Sequence, residues 1–141
     1  VGDRLCARAF QSAVGCLDGA RGALLWSRNT GGTDAIGGNA DTVFGADASD
    51  RITAWRAGSG EVLWQNERLL NRGLGGALAI GNVAVAFADY QGHVHFLSQA
   101  DGSFLLRLPT DGSAAVGTPA LVGATMLVVT RDGGLFAFRP N

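Results

Sequence analysis

Hydrophobic residues come in short runs along this chain, and glycine or aspartate interrupts almost every run. Residues 77–80, 83–88 and 126–129 are apolar at every position, which is typical of strands buried on both faces. No window keeps an apolar stripe at positions i, i+3, i+4 and i+7 free of glycine, so no amphipathic helix is predicted. The pattern therefore predicts an all-β chain of short strands joined by tight turns.

The strands can be placed between residues that favour turns. Aspartate and glycine tolerate the positive φ of tight hairpin turns, so they mark strand ends. The turns between second and third strands are predicted at Gln11-Ser12, Ser49-Asp50, Gln91-Gly92 and Asp132-Gly133. The predicted strands are residues 4–10, 13–17, 23–29, then 34–38, 42–48, 51–56, 61–67, then 75–80, 83–89, 93–98, 103–109, and finally 118–122, 126–131 and 134–139.

A sequence repeat groups these strands. Three segments align without gaps: CLDGARGALLW at residues 16–26, AWRAGSGEVLW at 54–64 and FLSQADGSFLL at 96–106. Their last residues are 38 and 42 positions apart, and a fourth copy begins at residue 135. A period near 40 with only strand-like pieces is typical of a β-propeller with one four-stranded blade per repeat. We predict a single partial β-propeller domain over residues 1–141, with blades at about residues 1–30, 31–70, 71–112 and 113–141.

The register of the repeat predicts an incomplete propeller. The first predicted blade lacks its first strand, and the last predicted blade lacks its fourth. Closure of the ring protects the edges of propeller sheets, and a last blade without its fourth strand is expected where the N-terminal strand completes it. The chain is therefore expected to be the C-terminal part of a larger, closed propeller.

Composition removes several classes of function. Hydrophobic residues make up 47% of the chain and charged residues 16%, which excludes a disordered charged tail. The formal net charge of -1 argues against a nucleic-acid-binding protein, which would carry a basic face. No apolar run reaches the roughly 20 residues that a membrane-spanning helix needs.

The second repeat copy carries a family resemblance. The segment AWRAGSGEVLW is similar to the repeat of pyrroloquinoline-quinone (PQQ) propellers, A-x-D-x-x-T-G-E-x-x-W, and matches it at Ala54, Gly60, Glu61 and Trp64. Serine replaces the threonine of that pattern, and arginine replaces its aspartate. The other copies retain Asp18, Gly22 and Trp26 in the first blade, and Gly102 in the third, where Leu106 stands in place of tryptophan.

The order of segments narrows the resemblance to one family within these propellers. The stretches TDAIGGNADTVFGADASDRITAW, LLNRGLGGALAIGNVAVAFADYQGHVHFLSQADGSFL and VGTPALVGATMLVVTRDGGLFAF resemble the C-terminal part of the BamB family. The resemblance implies about 3.5 blades of an eight-bladed propeller, anchored through a lipid on an N-terminal cysteine absent from this chain. It also implies a non-enzymatic scaffold at the periplasmic face of the outer membrane in a Gram-negative bacterium. That scaffold would dock the periplasmic POTRA domains of the barrel protein BamA within the barrel-assembly complex.

Candidate contact residues come from the segments between blades. Residues 29–34, 66–74 and 111–116 mix charged residues with asparagine and glycine, and loops on a rigid scaffold commonly carry binding. Arginine is enriched at protein interfaces, and two arginines flank the Leu69-Leu70 pair, which is predicted to be exposed. The predicted partner contacts are Asp34, Arg68, Asn71, Arg72 and Asp111.

Other residues are predicted to be structural. Trp26, Gly60, Trp64 and Gly102 recur at repeat positions, which favours packing between blades over a stacking platform for a quinone. PQQ dehydrogenases, the alternative within the resemblance, use a calcium held by carboxylates and often two adjacent cysteines. This chain has no adjacent cysteine pair, and its aspartates are scattered among predicted turns. We predict no catalytic residue and no cofactor; a generic periplasmic propeller that binds peptide or polysaccharide is a further alternative.

The histidines and cysteines complete the candidate chemistry. His93 and His95 alternate on a predicted strand and share a face, but no nearby residue offers a third metal ligand, so no metal site is predicted. Under a two-residue turn at Gln11-Ser12, the strand partner of Cys6 is Leu17, and Cys6 and Cys16 point to opposite faces. The sequence therefore predicts two buried free thiols rather than a disulfide.

Overall fold

The computed structural model describes residues 4–9, 13–30 and 33–139, and within these ranges the chain forms fourteen strands in four antiparallel sheets. The first sheet contains β1 (Arg4–Ala9), β2 (Ala13–Asp18) and β3 (Leu24–Asn29). The second contains β4 (Thr33–Gly38), β5 (Thr42–Asp47), β6 (Ile52–Arg56) and β7 (Val62–Asn66). The third contains β8 (Gly75–Ile80), β9 (Ala84–Ala88), β10 (Val94–Ser98) and β11 (Phe104–Leu108). The fourth contains β12 (Ala120–Val122), β13 (Thr125–Val129) and β14 (Leu135–Phe138).

Each sheet is a meander in which strands consecutive along the chain are neighbours. The strand that carries Trp26 lies at one edge of the first sheet, as the strand that carries Trp64 does in the second. The first sheet therefore contains the second, third and fourth strands of a blade, and the last sheet contains the first three. The prediction of an all-β chain with this distribution of strands is confirmed.

The hydrophobic cores lie between sheets. One cluster joins the second and third sheets through Phe44, Trp64 and Phe87, and the ring centroids of Phe44 and Trp64 are 5.9 Å apart. The first strands of these sheets, β4 and β8, also meet directly, because Gly37 lies against the backbone of Ala77 with no room for a Cβ atom. Burial on both faces explains why the apolar runs in the middle strands show no alternation.

The repeated tryptophan and glycine form the contact between the first two sheets. Trp26 is buried, and its indole Nε1–H donates a hydrogen bond of 2.7 Å to the carbonyl oxygen of Ala57 in the next sheet. Gly60 lies in the hairpin connection between β6 and β7 of that sheet and adopts a φ of +72°. A Cβ atom at this position would lie 2.5 Å from the Trp26 ring. Only glycine satisfies both the backbone conformation and the close approach of the ring.

The same contact recurs one repeat later. The indole Nε1–H of Trp64 donates a 2.8 Å hydrogen bond to the carbonyl oxygen of Gln99, and the Trp64 ring covers Gly102, whose φ is +75°. Both tryptophans thus use their single polar atom and one ring face to join neighbouring sheets. In the third sheet, Leu106 takes the equivalent position and is 44% exposed.

The prediction for the cysteines is wrong. Strand β1 pairs with β2 so that Cys6 lies directly opposite Cys16, and the two form a disulfide with Cα atoms 4.0 Å apart. Ala9 pairs with Ala13, which leaves residues 10–12 between the strands instead of the two-residue turn predicted at Gln11-Ser12. That turn lies outside the described residues. One additional residue in the connection shifts the register by one, and such a shift moves a side chain to the other face of the strand pair.

Candidate functional site

The antiparallel order of the strands brings the predicted contact segments 66–74 and 111–116 to one face. In a four-stranded meander, the turn between the second and third strands lies at the same end of the sheet as the link to the next blade. We call this face the inter-blade face; it carries the turns 48–51, 89–93 and 130–134 and the loops 67–74 and 109–119. The hairpin turns that contain Gly60 and Gly102 lie at the opposite face.

Similar polar turns organise this face in neighbouring sheets. The Asp47 carboxylate accepts hydrogen bonds from the backbone N–H groups of Ser49 and Arg51, at 2.9 and 3.0 Å. The Asp89 carboxylate does the same for Gln91 and His93, both at 2.9 Å. These side chains replace part of the backbone hydrogen bonding of a turn, as short aspartates commonly do.

Asp50 holds loop 67–74 against the second sheet. It adopts a left-handed φ of +67° at the end of its turn, and its side chain is buried. Its two carboxylate oxygens accept hydrogen bonds from the backbone N–H groups of Gly73 and Leu74, at 2.9 and 3.0 Å. The N–H of Asn71 also donates to the carbonyl oxygen of Ser49, at 3.2 Å. Asp50 therefore attaches the backbone of loop 67–74 to the second sheet.

Asp89 holds the same loop from the third sheet. Its carboxylate is buried, and Oδ2 lies 2.8 Å from His95 Nε2 and 3.7 Å from the guanidinium of Arg72. The carbonyl oxygen of Arg72 accepts a 3.0 Å hydrogen bond from the N–H of Tyr90. Burial lowers the pKa of His95 below 6.5, and the nearby charges of Arg72 and His93 lower it further, whereas Asp89 raises it. His95 is therefore neutral at pH 7.

Asp111 has a comparable role in loop 109–119. Its carboxylate accepts hydrogen bonds from the Thr130 hydroxyl at 2.6 Å and from the Ser113 hydroxyl at 2.7 Å. These bonds favour the ionised form and hold the pKa of Asp111 below its usual 3.8. The loop is thus fastened to the turn of the fourth sheet.

The predicted contact residues differ in how freely they face solvent. Arg68 and Asn71 are exposed on loop 67–74. Arg72 is half-buried and engaged with Asp89, and Asp111 is exposed with its carboxylate occupied by Thr130 and Ser113. The side chain of Asp34 lies outside the described residues. The expectation that Leu69 is exposed is wrong, because this side chain packs in the core, whereas Leu70 is 39% exposed.

Sequence reasoning missed the residues that hold the loops. Asp50 is predicted only as a turn residue and Asp89 only as the last residue of a strand, and Tyr90, which is 53% exposed beside Arg72, is not singled out. One signal was available: Asp-x-x-Asp at residues 47–50 and Asp-x-x-Gly at 89–92 occupy the same place in consecutive repeats. No sequence pattern identifies the distant residues that these two aspartates contact.

The described residues contain no group of three or more histidine, cysteine, aspartate or glutamate side chains arranged to hold a metal ion. The inter-blade face has a shallow depression of about 330 Å³ lined by Gln91, His93, Pro109, Thr110 and Gly112. The described residues form no helix that is long and apolar enough to cross a membrane.

The chain is similar to known proteins in both sequence and fold. A family model described as outer membrane protein assembly factor BamB matches residues 1–66 and 57–140. The chain belongs to the BamB family. The BamB of Burkholderia pseudomallei is 39% identical over the whole chain, and that of Bordetella pertussis is 33% identical over 99% of it. The chain spans 37% and 36% of the lengths of these two relatives.

Solved structures agree with the BamB assignment. The crystal structure of BamB from Moraxella catarrhalis matches 99% of this chain with a TM-score of 0.88 and 25% identity, over 41% of its own length. The C-terminal WD40 domain of Sif2 matches 99% of this chain with a TM-score of 0.82 and 14% identity, which reflects the fold alone. WD40 domains are propellers. The predicted partial β-propeller and the predicted resemblance to the BamB family are both confirmed.

Proposed function

We propose that this chain is part of a non-catalytic scaffold for outer-membrane β-barrel assembly, and that its inter-blade face docks the periplasmic POTRA domains of BamA. Membership of the BamB family supports the assembly role, since the relatives carry the name of outer membrane protein assembly factors. The relatives are longer than this chain, so the docking unit we propose is the whole closed propeller of eight blades.

One observation carries the docking proposal. Loop 67–74 is anchored to two sheets through Asp50 and Asp89, while Arg68, Leu70 and Asn71 face solvent. A loop that is already ordered loses little conformational entropy when it binds, which favours its use as a recognition surface. Arginine next to an exposed leucine is also a combination that protein interfaces favour. Asp34, Arg72 and Asp111 complete the proposed contact set on the same face.

The disulfide supports the proposed compartment. Cys6 and Cys16 are joined within one hairpin, and disulfides persist in oxidising compartments such as the periplasm. We place the protein at the periplasmic face of the outer membrane, held there by a lipid on a cysteine outside this chain.

The scaffold needs no chemistry of its own. Both repeat tryptophans are buried between sheets with their indole N–H groups bonded to backbone carbonyl oxygens, which leaves neither ring as a quinone platform. A fragment of a PQQ-dependent dehydrogenase is therefore the weaker reading, and addition of PQQ with calcium would produce a specific absorbance change only under that reading.

Calorimetric titration of the lipid-free, full-length protein with the periplasmic domains of BamA tests the docking proposal. Arg68→Glu reverses a charge in the centre of the proposed contact, and we expect it to weaken binding by about tenfold, or about 1.4 kcal/mol. Arg21→Glu makes the same change in an exposed turn of the opposite face, so it should leave the affinity unchanged. Equal effects of both variants, or no binding by the folded wild-type protein, would exclude the proposed docking face.

A further inference from the structure

The buried Asp89 carboxylate lies between His95, which the proposed docking function does not use, and Arg72, which belongs to the proposed contact set. On one side lies His95, whose side chain is 1% exposed and whose Nε2 is 2.8 Å from Asp89 Oδ2. On the other side lies Arg72, which belongs to loop 67–74. One negative charge therefore serves both the interior of the third sheet and the position of an exposed loop.

The hydrogen bonds define the protonation of His95. An ionised carboxylate only accepts hydrogen bonds, so a neutral His95 must carry its proton on Nε2 and donate it to Asp89. The other ring nitrogen, Nδ1, is buried and has no hydrogen-bond partner among the described residues. A second proton can enter only at this nitrogen, and it would create an imidazolium in direct contact with Asp89.

The titratable and charged groups around His95 come from three elements. Asp89 and His93 belong to the hairpin of β9 and β10, where His93 Nδ1 lies 3.7 Å from Asp89 Oδ2 and the His93 ring 6.3 Å from that of His95. Arg72 comes from loop 67–74, and strand β11 contributes Arg107, which lies directly opposite His95 in the strand register. With His95 neutral, the charges of Asp89 and Arg72 balance. With His95 protonated, two cations share one carboxylate, and the shorter contact is that of His95.

We propose that Asp89 and His95 form a proton-controlled latch on loop 67–74, closed when His95 is neutral and released when it is protonated. The imidazolium neutralises Asp89 and repels the guanidinium of Arg72, which is half-buried and can turn into solvent. Loop 67–74 then loses its contact with Tyr90 and depends more on Asp50, so the whole loop opens more often and its amides exchange faster. Because this loop carries the proposed partner contacts, the regulatory meaning of the latch rests on the proposed function: mild acid would loosen docking.

Hydrogen exchange of backbone amides in the full-length protein tests the latch without any partner. Protection of the amides between residues 69 and 74 and of Tyr90 is measured by mass spectrometry at about pH 7.5 and about pH 5, each corrected for the intrinsic exchange rate, since an unperturbed histidine titrates in this interval. We expect protection to fall by about tenfold in acid in the wild-type protein, which is the scale of a partly buried ion pair.

Three variants separate the latch from general acid destabilisation. His95→Gln keeps a donor for Asp89 but does not titrate, so it should abolish the acid-dependent loss in the loop. His93→Gln removes the neighbouring imidazole and should preserve that loss. If His95→Gln fails to fold, Arg72→Gln serves instead, because it should leave the loop poorly protected and insensitive to pH even at neutral pH.

The outcomes decide the proposal. A wild-type loop equally protected at both pH values, an acid-dependent loss that persists in His95→Gln, or full protection of the loop in Arg72→Gln at neutral pH would each overturn the latch. Calorimetry with the BamA periplasmic domains at both pH values is a separate readout. A latch that operates by exchange, together with no binding at either pH, would overturn the proposed function while leaving the latch as a property of the loop.

Discussion

At the scale of single residues, the repeat depends on one glycine that accepts one tryptophan ring. Gly102 has a φ of +75° and lies under the ring of Trp64, whereas Gly81, at the same face of the same sheet, has a φ of +54° and open space where its Cβ would be. Both positions require a left-handed backbone conformation, but only at Gly102 would a Cβ atom also collide with a neighbouring side chain.

This difference predicts unequal effects of alanine at the two glycines. Gly81→Ala should cost about 1–2 kcal/mol of unfolding free energy, for a left-handed non-glycine residue. Gly102→Ala should cost about 1–3 kcal/mol more, because the added methyl group displaces the Trp64 ring. Urea unfolding of the two variants measures both values. Equal losses would show that the ring contact does not restrict this position.

A buried histidine also predicts the pH dependence of stability. The pKa of His95 is lowered in the folded state, mainly because burial disfavours the imidazolium, so the unfolded chain binds more protons below pH 6.5. The contribution of His95 is fully present above pH 6.5 and is lost as the pH falls below that value. Unfolding free energies measured across this interval should therefore decline in acid, and less so in His95→Gln. An identical decline in both proteins would contradict this assignment.

At the scale of elements, the hairpin of β1 and β2 is the one closed by a covalent bond. The disulfide joins directly opposed residues at a sequence separation of 10, and Cys16 is fully buried. A cross-link of this length restricts the unfolded chain and is worth about 2–3 kcal/mol.

Reduction should therefore destabilise the protein by about 2–3 kcal/mol, measured as the shift of the urea midpoint with and without dithiothreitol. A double variant, Cys6→Ala with Cys16→Ala, should be as unstable as the reduced protein and should not respond to the reductant. Thiol titration of the unfolded, unreduced protein should find neither of these cysteines free. Two free thiols would restore the register with Cys6 opposite Leu17.

At the scale of the whole molecule, the first and last sheets carry apolar side chains on their surfaces. Leu5 and Leu24 in the first sheet are 60% and 64% exposed, and Val122 and Leu135 in the last are 64% and 67% exposed. The positions equivalent to Leu135 in the two preceding repeats, Ile52 and Val94, are fully buried between neighbouring sheets. Such surfaces and unpaired strand edges favour association.

The isolated 141-residue chain should therefore self-associate at micromolar concentrations, whereas the full-length protein should not. Sedimentation velocity at several concentrations measures this, with circular dichroism to verify the β structure. Substitution of Leu24 and Leu135 by lysine should reduce the association. An isolated chain that stays monomeric at all concentrations would show that these surfaces tolerate water.

Most strand positions follow from local pattern. The predicted strand at residues 75–80 is the observed β8, and the predicted strand at 83–89 is one residue longer at each end than β9. The extra residue at the C-terminal end, Asp89, belongs to the turn, where its carboxylate accepts hydrogen bonds from backbone N–H groups. Alternation and turn residues act over a few positions, so a single sequence shows them directly.

The sequence by itself determined the repeat, the strands and the family, because these depend on periodicity and on residues at fixed spacing. Only the tertiary structure decided the partner of Cys6, the burial of Leu69 and the meeting of Asp89 with His95 and Arg72. The register of the first hairpin depends on the length of the connection between β1 and β2. A shift of one residue moves every side chain of a strand to the opposite face of the sheet. The contacts of Asp89 join residues of two structural units, and their proximity arises from the packing of blades, which no local pattern encodes.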